Sequence, residues 1–376
     1  MKILHVQKVT GIGGSERHLL DLLPALAARG VEVRMVVLTA GRADRFLAAA
    51  EERRIAVDAV PAGPDVNPVV VSTLVRLIRR FRPDLIHTHL IHADLHGAAA
   101  AVIAGVPTVS SFHGTHPFFE RPGVRHVEAW ALRRACRVIA ISHWVARFLA
   151  SRGLAEASNV RVVHYGVDRR VWQPLTPDER EAARRKLHVE PDAFVVVIAS
   201  RLVTGKGHDT LFRAVAQLGG VPLRLVVVGD GPERERLNKL VAALELAHRV
   251  RFLGFVPDVR SVLAAADVAA VPTSARLREG FGLAALEAQV LGVPVVASAT
   301  ASLPEIVADG ETGMLVPPDS VPALADALAG LAADPMRRRA MGEAAVWRAR
   351  QRFSLDRMVE ATIEVYREAL GAAVMS

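Results

Sequence analysis

Two glutamates, Glu279 and Glu287, stand eight residues apart in "REGFGLAALEAQVLGVPVVAS", astride Gly280-Phe281-Gly282, in a segment otherwise composed like a buried core. A helix starting near Gly282 would end at Gly292 and Pro294 and would carry Glu287 about one turn inside it. The amides of Phe281 to Ala284 would then point out of its first turn, where the helix dipole favours an anion. Carboxylates beside an anion repel it, so the natural partners of the two glutamates are hydroxyl groups, those of a sugar and of a ribose.

Cations for such an anion occur in "SRLVTGKGHDTL". There Arg201 and Lys206 lie five residues apart on a loop with Gly205 and Gly207, after one hydrophobic run and before a helix. Arginine as a fork and lysine as a point charge suit a diphosphate; the plainer reading is a solvated basic loop. In "TGIGGSERHLL", Gly11, Gly13 and Gly14 follow the first strand and open a helix, as a phosphate loop does and as a tight turn also does. Glu16 occupies the place of the third glycine, so the dinucleotide fingerprint is incomplete and a nicotinamide oxidoreductase is disfavoured. Gly229-Asp230-Gly231, with Pro232 at a helix start, reads as a structural turn. "HTHLIHADLHG" holds His87, His89, His92, Asp94 and His96; the i, i+4 pair His92 and His96 could clamp zinc, yet no H-E-x-x-H pattern accompanies it. Cleft lining or helix capping is the expectation, and no metal site is assigned.

Such residues must be positioned by strands and helices in alternation. The β-branched runs "KILHVQ", "VEVRMVVL", "DLIHTH", "PTVSSF" and "RVIAIS" alternate with amphipathic stretches, and a second series runs through "AFVVVIASR", "LRLVVVGDG", "VRFLGF", "DVAAVPTS" and "VPVVAS". This is the pattern of βαβ units and parallel sheets. At 376 residues, 51% of them hydrophobic, the chain is long enough for two domains. "VDRRVWQPLTPDERE", Val167 to Glu181, is the expected linker, and "PMRRRAMGEAAVWRARQRFSLDRMVEATIEVYREAL" reads as two helices broken near Phe353-Ser354. Two α/β halves joined by one linker imply a cleft between them, with ligands outside the carboxyl ends of the strands.

In this combination the chain resembles the retaining glycosyltransferases of family 4, with the two-domain GT-B fold. The E-x7-E motif, Glu279 to Glu287, carries the likeness, supported by "GIGGSERHLLDLLPALAARGVEV", "SRLVTGKGHDTLFRAV", "VVVGDGPERERL", "RFLGFVPD" and "LPEIVADGETGMLV". The resemblance implies an α/β protein of two Rossmann-like, doubly wound domains: residues 1–170 for the acceptor and 171–353 for the nucleotide-sugar, with helix 354–370 packing back on the first. It places Arg201 and Lys206 on the diphosphate, Glu287 on the ribose, and Glu279 on the sugar. The backbone of Phe281, Gly282 and Leu283 would face the diphosphate and sugar, and Phe255 and Val256 would border the base. Gly14 would let the N-terminal loop approach the phosphates, and His113 in "SSFHGTH" falls where the family has an active-site histidine. Ser15, His18 and the loop His113–Arg125 are the acceptor candidates. Two positions depart from the family pattern: Ala301-Ser302 where paired glycines are common, and Tyr165 where asparagine often precedes "GVD".

The implied reaction moves a hexosyl unit from a UDP- or GDP-sugar to an acceptor hydroxyl on a glycan or lipid-linked glycan, with retention, in bacterial polysaccharide, glycolipid or other glycoconjugate synthesis. Fixed donors aimed at the leaving diphosphate would supply much of the catalysis, so neither cofactor nor metal is called for. His113, Glu279, Arg201 and Lys206 are the catalytic candidates. A GT-B-fold nucleotide-sugar epimerase is the nearest alternative. A glycoside hydrolase would need no diphosphate site. A non-enzymatic basic binding protein is the third reading: the net charge is +8, and Arg76, Arg79, Arg80 and Arg82 form a run. Nucleic acid is disfavoured because few aromatics interleave with that run; peripheral attraction to an anionic membrane is the reading kept. One cysteine, Cys136, excludes an internal disulfide. With no signal peptide and no apolar run of spanning length, the sequence predicts a cytoplasmic protein, peripheral at the inner membrane face.

Overall fold

The computed structural model describes residues 1–41, 43–63, 67–114 and 123–375. The expected acceptor loop His113–Arg125 therefore falls largely outside the described residues. The chain divides into two compact units, Met1–Asp168 together with the segment from Ser354 onward, and Arg169–Phe353.

The first unit runs β1 (Lys2–Lys8), α1 (Gly14–Ala28), β2 (Glu32–Thr39), α2 (Asp44–Glu52), β3 (Val57–Pro61), α3 (Pro68–Phe81) and β4 (Leu85–His89). It continues with α4 (Leu90–Ala104), β5 (Thr108–Phe112), α5 (Val124–Arg134), β6 (Arg137–Ala140), α6 (His143–Ser151) and β7 (Val160–Val162). Its seven strands are parallel in the order β3-β2-β1-β4-β5-β6-β7. Strands with both faces covered read as continuous apolar runs, which is why the sequence announces them so clearly. One face packs Leu4, Val6, Val36, Leu38 and Ile86 against Val70, Leu74 and Ile78 of α3 and Ala93 and Ala100 of α4. Alternation then sends His5, Gln7, His87 and His89 to the opposite face, buried as well.

The second unit runs α7 (Pro177–Lys186), β8 (Phe194–Ala199), α8 (His208–Gln217), β9 (Leu223–Val228), α9 (Arg234–Ala243), β10 (Val250–Gly254), α10 (Arg260–Leu263) and β11 (Val268–Val271). Then come α11 (Leu283–Val290), β12 (Val295–Ser298), α12 (Leu303–Ile306), β13 (Gly313–Val316), α13 (Val321–Ala333) and α14 (Pro335–Arg352). The parallel order β10-β9-β8-β11-β12-β13 repeats the doubly wound plan. A core of Val196, Ile198, Leu225, Val227, Leu211, Phe212 and Leu328 fills one side of the sheet.

A final helix, α15 (Leu355–Met375), returns to the first unit and packs on α1. Glu368 on it holds Arg137 and Arg161, each at 2.8 Å, and Tyr366 is fully buried. The return crossing lies beside the outgoing one: Val167 bridges Ser354, and the Leu355 amide donates to the Val167 carbonyl at 3.0 Å.

The expected linker differs from what forms. From Pro177 the segment is helical, because Thr176 accepts from the Glu179 amide and the Glu179 carboxylate accepts from the Thr176 amide, a capping box with proline at the first helical position. The helix after Gly229-Asp230-Gly231 begins at Arg234, two residues past Pro232. Both glycines press on backbone: a Cβ on Gly229 would lie 2.0 Å from the Ser200 carbonyl oxygen, and one on Gly231 would lie 2.3 Å from that of Leu202. That turn is structural, as the sequence suggested.

Candidate functional site

In an open sheet with this order, neighbouring strands diverge in connection at the switch point, between β8 and β11 in the second unit and between β1 and β4 in the first, and ligands bind there. The chemically interesting residues follow those strands.

After β8, the Arg201 side chain is exposed, and no hydrogen bond or ion pair among the described residues engages its guanidinium. Gly205 and Gly207 bend the loop at φ +91° and +79°. Gly207 caps α8 so close to the segment after β11 that an added Cβ would lie 1.7 Å from the Pro272 carbonyl oxygen. Ser274 N donates to the Gly205 carbonyl at 2.8 Å, so the two loops are one unit. This places the Lys206 Nζ 2.5 Å from Glu279 Oε2, with both side chains about four-fifths buried (20% and 19% exposed). An ion pair this shielded is an anchored charge rather than a fluctuating surface contact.

Glu279 is held from behind as well, since Ser302 Oγ donates to its carbonyl at 2.9 Å. Gly282 caps α11 at φ +79°, and the first intrahelical bonds reach its carbonyl from Ala285 and Leu286. The amides of Leu283 and Ala284 therefore precede the first intrahelical bond, as donors for an anion do. Phe281 is buried edge-on against Phe353, with ring centroids 5.8 Å apart, and Leu283 is half-buried. Glu287 is buried on α11, 5% exposed. Phe255 is half-exposed and Val256 partly buried just beyond β10, a third strand end of the same sheet. The structure thus gathers Lys206, Glu279, Phe281, Gly282, Leu283 and Glu287 around one helix start. Ala301 stands at φ +50°, in the region that favours glycine, which gives the departure from the family's glycine pair a backbone cost.

In the first unit, Gly14 is the first residue of α1 and Gly13 its cap. Glu16 at the third-glycine position is a capping residue: it accepts from the Gly13 amide at 2.9 Å, from Gln7 Nε2 at 2.8 Å and from Ser15 Oγ at 3.0 Å. The Ser15 hydroxyl is thereby engaged internally. His18 stacks on Tyr165 at 4.3 Å, and its buried Nδ1 has no hydrogen-bond partner among the described residues. Both ring nitrogens of His113 are occupied: Nε2 meets His89 Nδ1 at 3.0 Å, and Nδ1 meets the Tyr165 hydroxyl. Burial pushes His113 and His5 down to about 3 and takes His18, His87 and His89 well below the ordinary imidazole value.

Beside His113 lies a cavity of about 320 Å³, lined among others by Lys8, Thr10, Glu16, Phe112 and Glu128; Ser15 and His18 do not line it. Glu128 is fully buried against Asp94, whose Oδ1 accepts from Thr88 and Ser110 at 2.5 and 2.6 Å. Neither Glu128 oxygen nor Asp94 Oδ2 has a hydrogen-bond partner among the described residues. Burial first, then the Asp94 charge, holds Glu128 well above the usual carboxylate range; burial raises Asp94 to about 6. Glu128 stands alone on α5, outside every motif quoted from the sequence, so residue type and spacing did not single it out. His92 and His96 form no metal pair: His96 Nε2 accepts from the Asn67 amide at 3.0 Å, and its Nδ1 donates to the His92 carbonyl at 2.7 Å.

Two doubly wound domains of this strand order, one with a lysine and two carboxylates about a helix start, define the GT-B class of sugar transferases. The model of the glycosyl transferases group 1 matches residues 179–347, and that of glycosyltransferase family 4 matches residues 12–171. A D-inositol 3-phosphate glycosyltransferase of Pseudarthrobacter chlorophenolicus is 32% identical over 95% of this chain and 91% of its own, and one of Kribbella flavida is 33% identical over 95% and 91%. HepE of Anabaena, solved in complex with UDP and glucose, superposes at a TM-score of 0.87 with 27% identity over 98% of this chain and 99% of its own. Sucrose-phosphate synthase of Thermosynechococcus elongatus superposes at 0.83, with 26% identity over 99% of each chain. The chain belongs to the GT-B glycosyltransferases of the family 4 type, enzymes that take a sugar from a nucleotide-sugar donor. No helix among the described residues is long and apolar enough to cross a membrane.

Proposed function

We propose that this enzyme transfers a hexosyl unit, with retention and without a metal, from a UDP- or GDP-linked donor to an acceptor hydroxyl in bacterial glycoconjugate synthesis. The observation that carries the reading is the Lys206–Glu279 pair at the start of α11, at the switch point of the second sheet. Breaking the sugar–phosphate bond builds negative charge on the diphosphate. Lys206 and the amides of Leu283 and Ala284 are fixed donors for that charge, needing no reorganisation as it grows, and the exposed Arg201 closes on it as a further cation. With the diphosphate bound, Lys206 is shared between it and Glu279, which orients the carboxylate toward sugar hydroxyls; Glu287 takes those of the ribose. Phe255 and Val256 border the base. The UDP and UDP-glucose complexes of HepE favour uridine over guanosine.

The acceptor is read as a hydroxylated ring of a glycan, lipid-linked glycan or polyol, and the cavity beside His113 supports it by its size and by the Glu128 carboxyl. The relatives named for D-inositol 3-phosphate favour a small polyol. His113, with both nitrogens engaged, is assigned to positioning; serving as a base would require it to release a partner. Retention follows when the acceptor enters on the leaving-group face and the diphosphate takes its proton. The enzyme acts in the cytoplasm, with its net positive charge attracting it to an anionic membrane surface. A thermal-shift series with UDP-, GDP- and ADP-sugars tests the donor: binding to the folded state alone raises the midpoint by mass action. No shift with any of them would overturn the reading. Proton NMR of the first product formed reports retention or inversion directly.

A further inference from the structure

The buried face of the first sheet carries four imidazoles joined end to end. Parallel pairing sets His5 opposite His87 and His89 opposite Ser111. From the Tyr165 hydroxyl the chain passes to His113 Nδ1, from His113 Nε2 to His89 Nδ1 at 3.0 Å, and from His89 Nε2 to His5 Nδ1 at 3.0 Å. His5 Nε2 then meets the Tyr366 hydroxyl at 3.4 Å, Tyr366 meets His87 Nδ1 at 2.7 Å, and His87 Nε2 meets Ser111 Oγ at 2.8 Å. Every ring nitrogen of the four is used once. His5, His87, His89 and Tyr366 are no more than 1% exposed.

A neutral imidazole has one N–H and one lone pair. In an unbroken chain of such rings each link needs one donor and one acceptor, so the protons must all point the same way. If Tyr165 donates to His113 Nδ1, then each of the four rings carries its proton on Nε2, ending in donation to Ser111. If Ser111 donates to His87 Nε2, then each carries it on Nδ1, ending in donation from His113 to Tyr165. Within the run His113–His89–His5 a mixed arrangement faces N–H against N–H, or lone pair against lone pair; at Tyr366 a mixed arrangement has both rings donating to the hydroxyl oxygen, which turns its own buried O–H away from both rings.

We propose that Tyr366, His5 and His89 are positioning residues for His113, through a polarised hydrogen-bonded chain that gives it one ring orientation and one tautomer set as far away as the C-terminal helix. The catalytic weight of this rests on the reading of His113 above; the chain itself rests only on the geometry. It also assigns a use to Tyr165, which stands where the family pattern has asparagine: its hydroxyl closes the chain at the His113 end. A substrate hydroxyl that displaces Tyr165 from Nδ1 would meet a donor or an acceptor according to the direction of the whole chain, not of His113 alone.

The test needs no substrate, so its outcome is separate from that of the donor screen. In the full chain labelled with [15N]histidine, long-range proton–nitrogen correlation distinguishes protonated from bare ring nitrogens. The expected result is one pure tautomer shared by His5, His87, His89 and His113. Tyr366→Phe, which keeps the ring volume and removes the link, should leave the helix docked and turn His113 into a mixture of tautomers. His5→Phe cuts the chain one ring nearer and should do the same, which covers the case in which Tyr366→Phe fails to fold. Unlike tautomers among the four rings in the wild type, or a His113 signature unmoved by both variants, would overturn the proposal. The ligand atoms of His5, His87 and His89 lie within 4.8 Å of one another, so a zinc titration belongs in the same experiment. Stoichiometric zinc-induced shifts of these three rings would mean a metal site instead, and would also overturn it.

Discussion

Lowering the pH from 7 to 5.5 should destabilise the first unit, because His5, His18, His87, His89 and His113 are buried without charge. Unfolded, each would titrate near 6.5, so below that value the unfolded chain takes up protons that the folded rings refuse. Stability is therefore present above about 6.5 and falls as the pH drops toward the folded values, about 3 for His5 and His113. From pH 7 to 5.5 a histidine that stays neutral in the folded state contributes a loss on the order of 1 kcal/mol, and five together contribute several. Three carboxyls act in the opposite sense. Asp21 and Asp94, both raised to about 6, and Glu128, raised further, are protonated in the folded state before they are in the unfolded one. They offset part of that loss over the same interval, and five histidines against three carboxyls leave a net loss on the order of 2 kcal/mol. For a unit of this size that lowers the midpoint by roughly 5–10 °C. Scanning calorimetry at the two pH values measures it, and hydrogen exchange at the β1 and β4 amides ties the change to this unit. Glu128→Gln removes one opposing group and should enlarge the acid loss. A first unit equally stable at both pH values, or more stable at 5.5, would refute the neutral-histidine account.

Lys206→Ala and Glu279→Ala should each lower transfer by roughly 10²–10³-fold with the circular dichroism unchanged; wild-type turnover in purified Glu279→Ala would remove the site assignment. Gly207→Ala should cost more than about 1 kcal/mol and weaken nucleotide binding, because it puts a Cβ against the Pro272 carbonyl at positive φ; a denaturation midpoint equal to that of the wild type would contradict this. Transfer should be insensitive to EDTA, since the leaving diphosphate is assigned to Lys206, Arg201 and helix amides; a loss restored by magnesium would show otherwise.

The central strands were legible in the sequence because both their faces are buried, which leaves uninterrupted apolar runs. The missed strands are β3, β7 and β13: one contains aspartate and proline, one is three residues long, and one is four residues beginning with glycine. They are edge or near-edge strands, where packing rather than composition decides. Helix α7 was hidden in a stretch whose prolines and charges suggested a linker; they are its cap, first residue and first turn. The cluster at the start of α11 was readable because Glu279, Phe281, Gly282, Leu283 and Glu287 fall within nine consecutive positions. The imidazole chain was not. Period-two alternation puts His87 and His89 on one face, but their partners lie 84 residues upstream at His5 and 279 residues downstream of His87 at Tyr366, and only strand register and the return of α15 unite them.

That return also has a consequence for synthesis. The segment from Arg169 to Phe353 leaves and re-enters the first unit where Val167 bridges Ser354, so it stands in the chain as an insertion between two paired ends. On the ribosome the first unit is begun first and finished last, because α15 emerges only after the whole second unit. Meanwhile the sheet face awaiting that helix shows His5 and His87, the partners of Tyr366, to water. A polar face of this kind tolerates the wait with less tendency to self-associate than the apolar one opposite. The histidines that are costly once buried are thus well suited to the interval before burial.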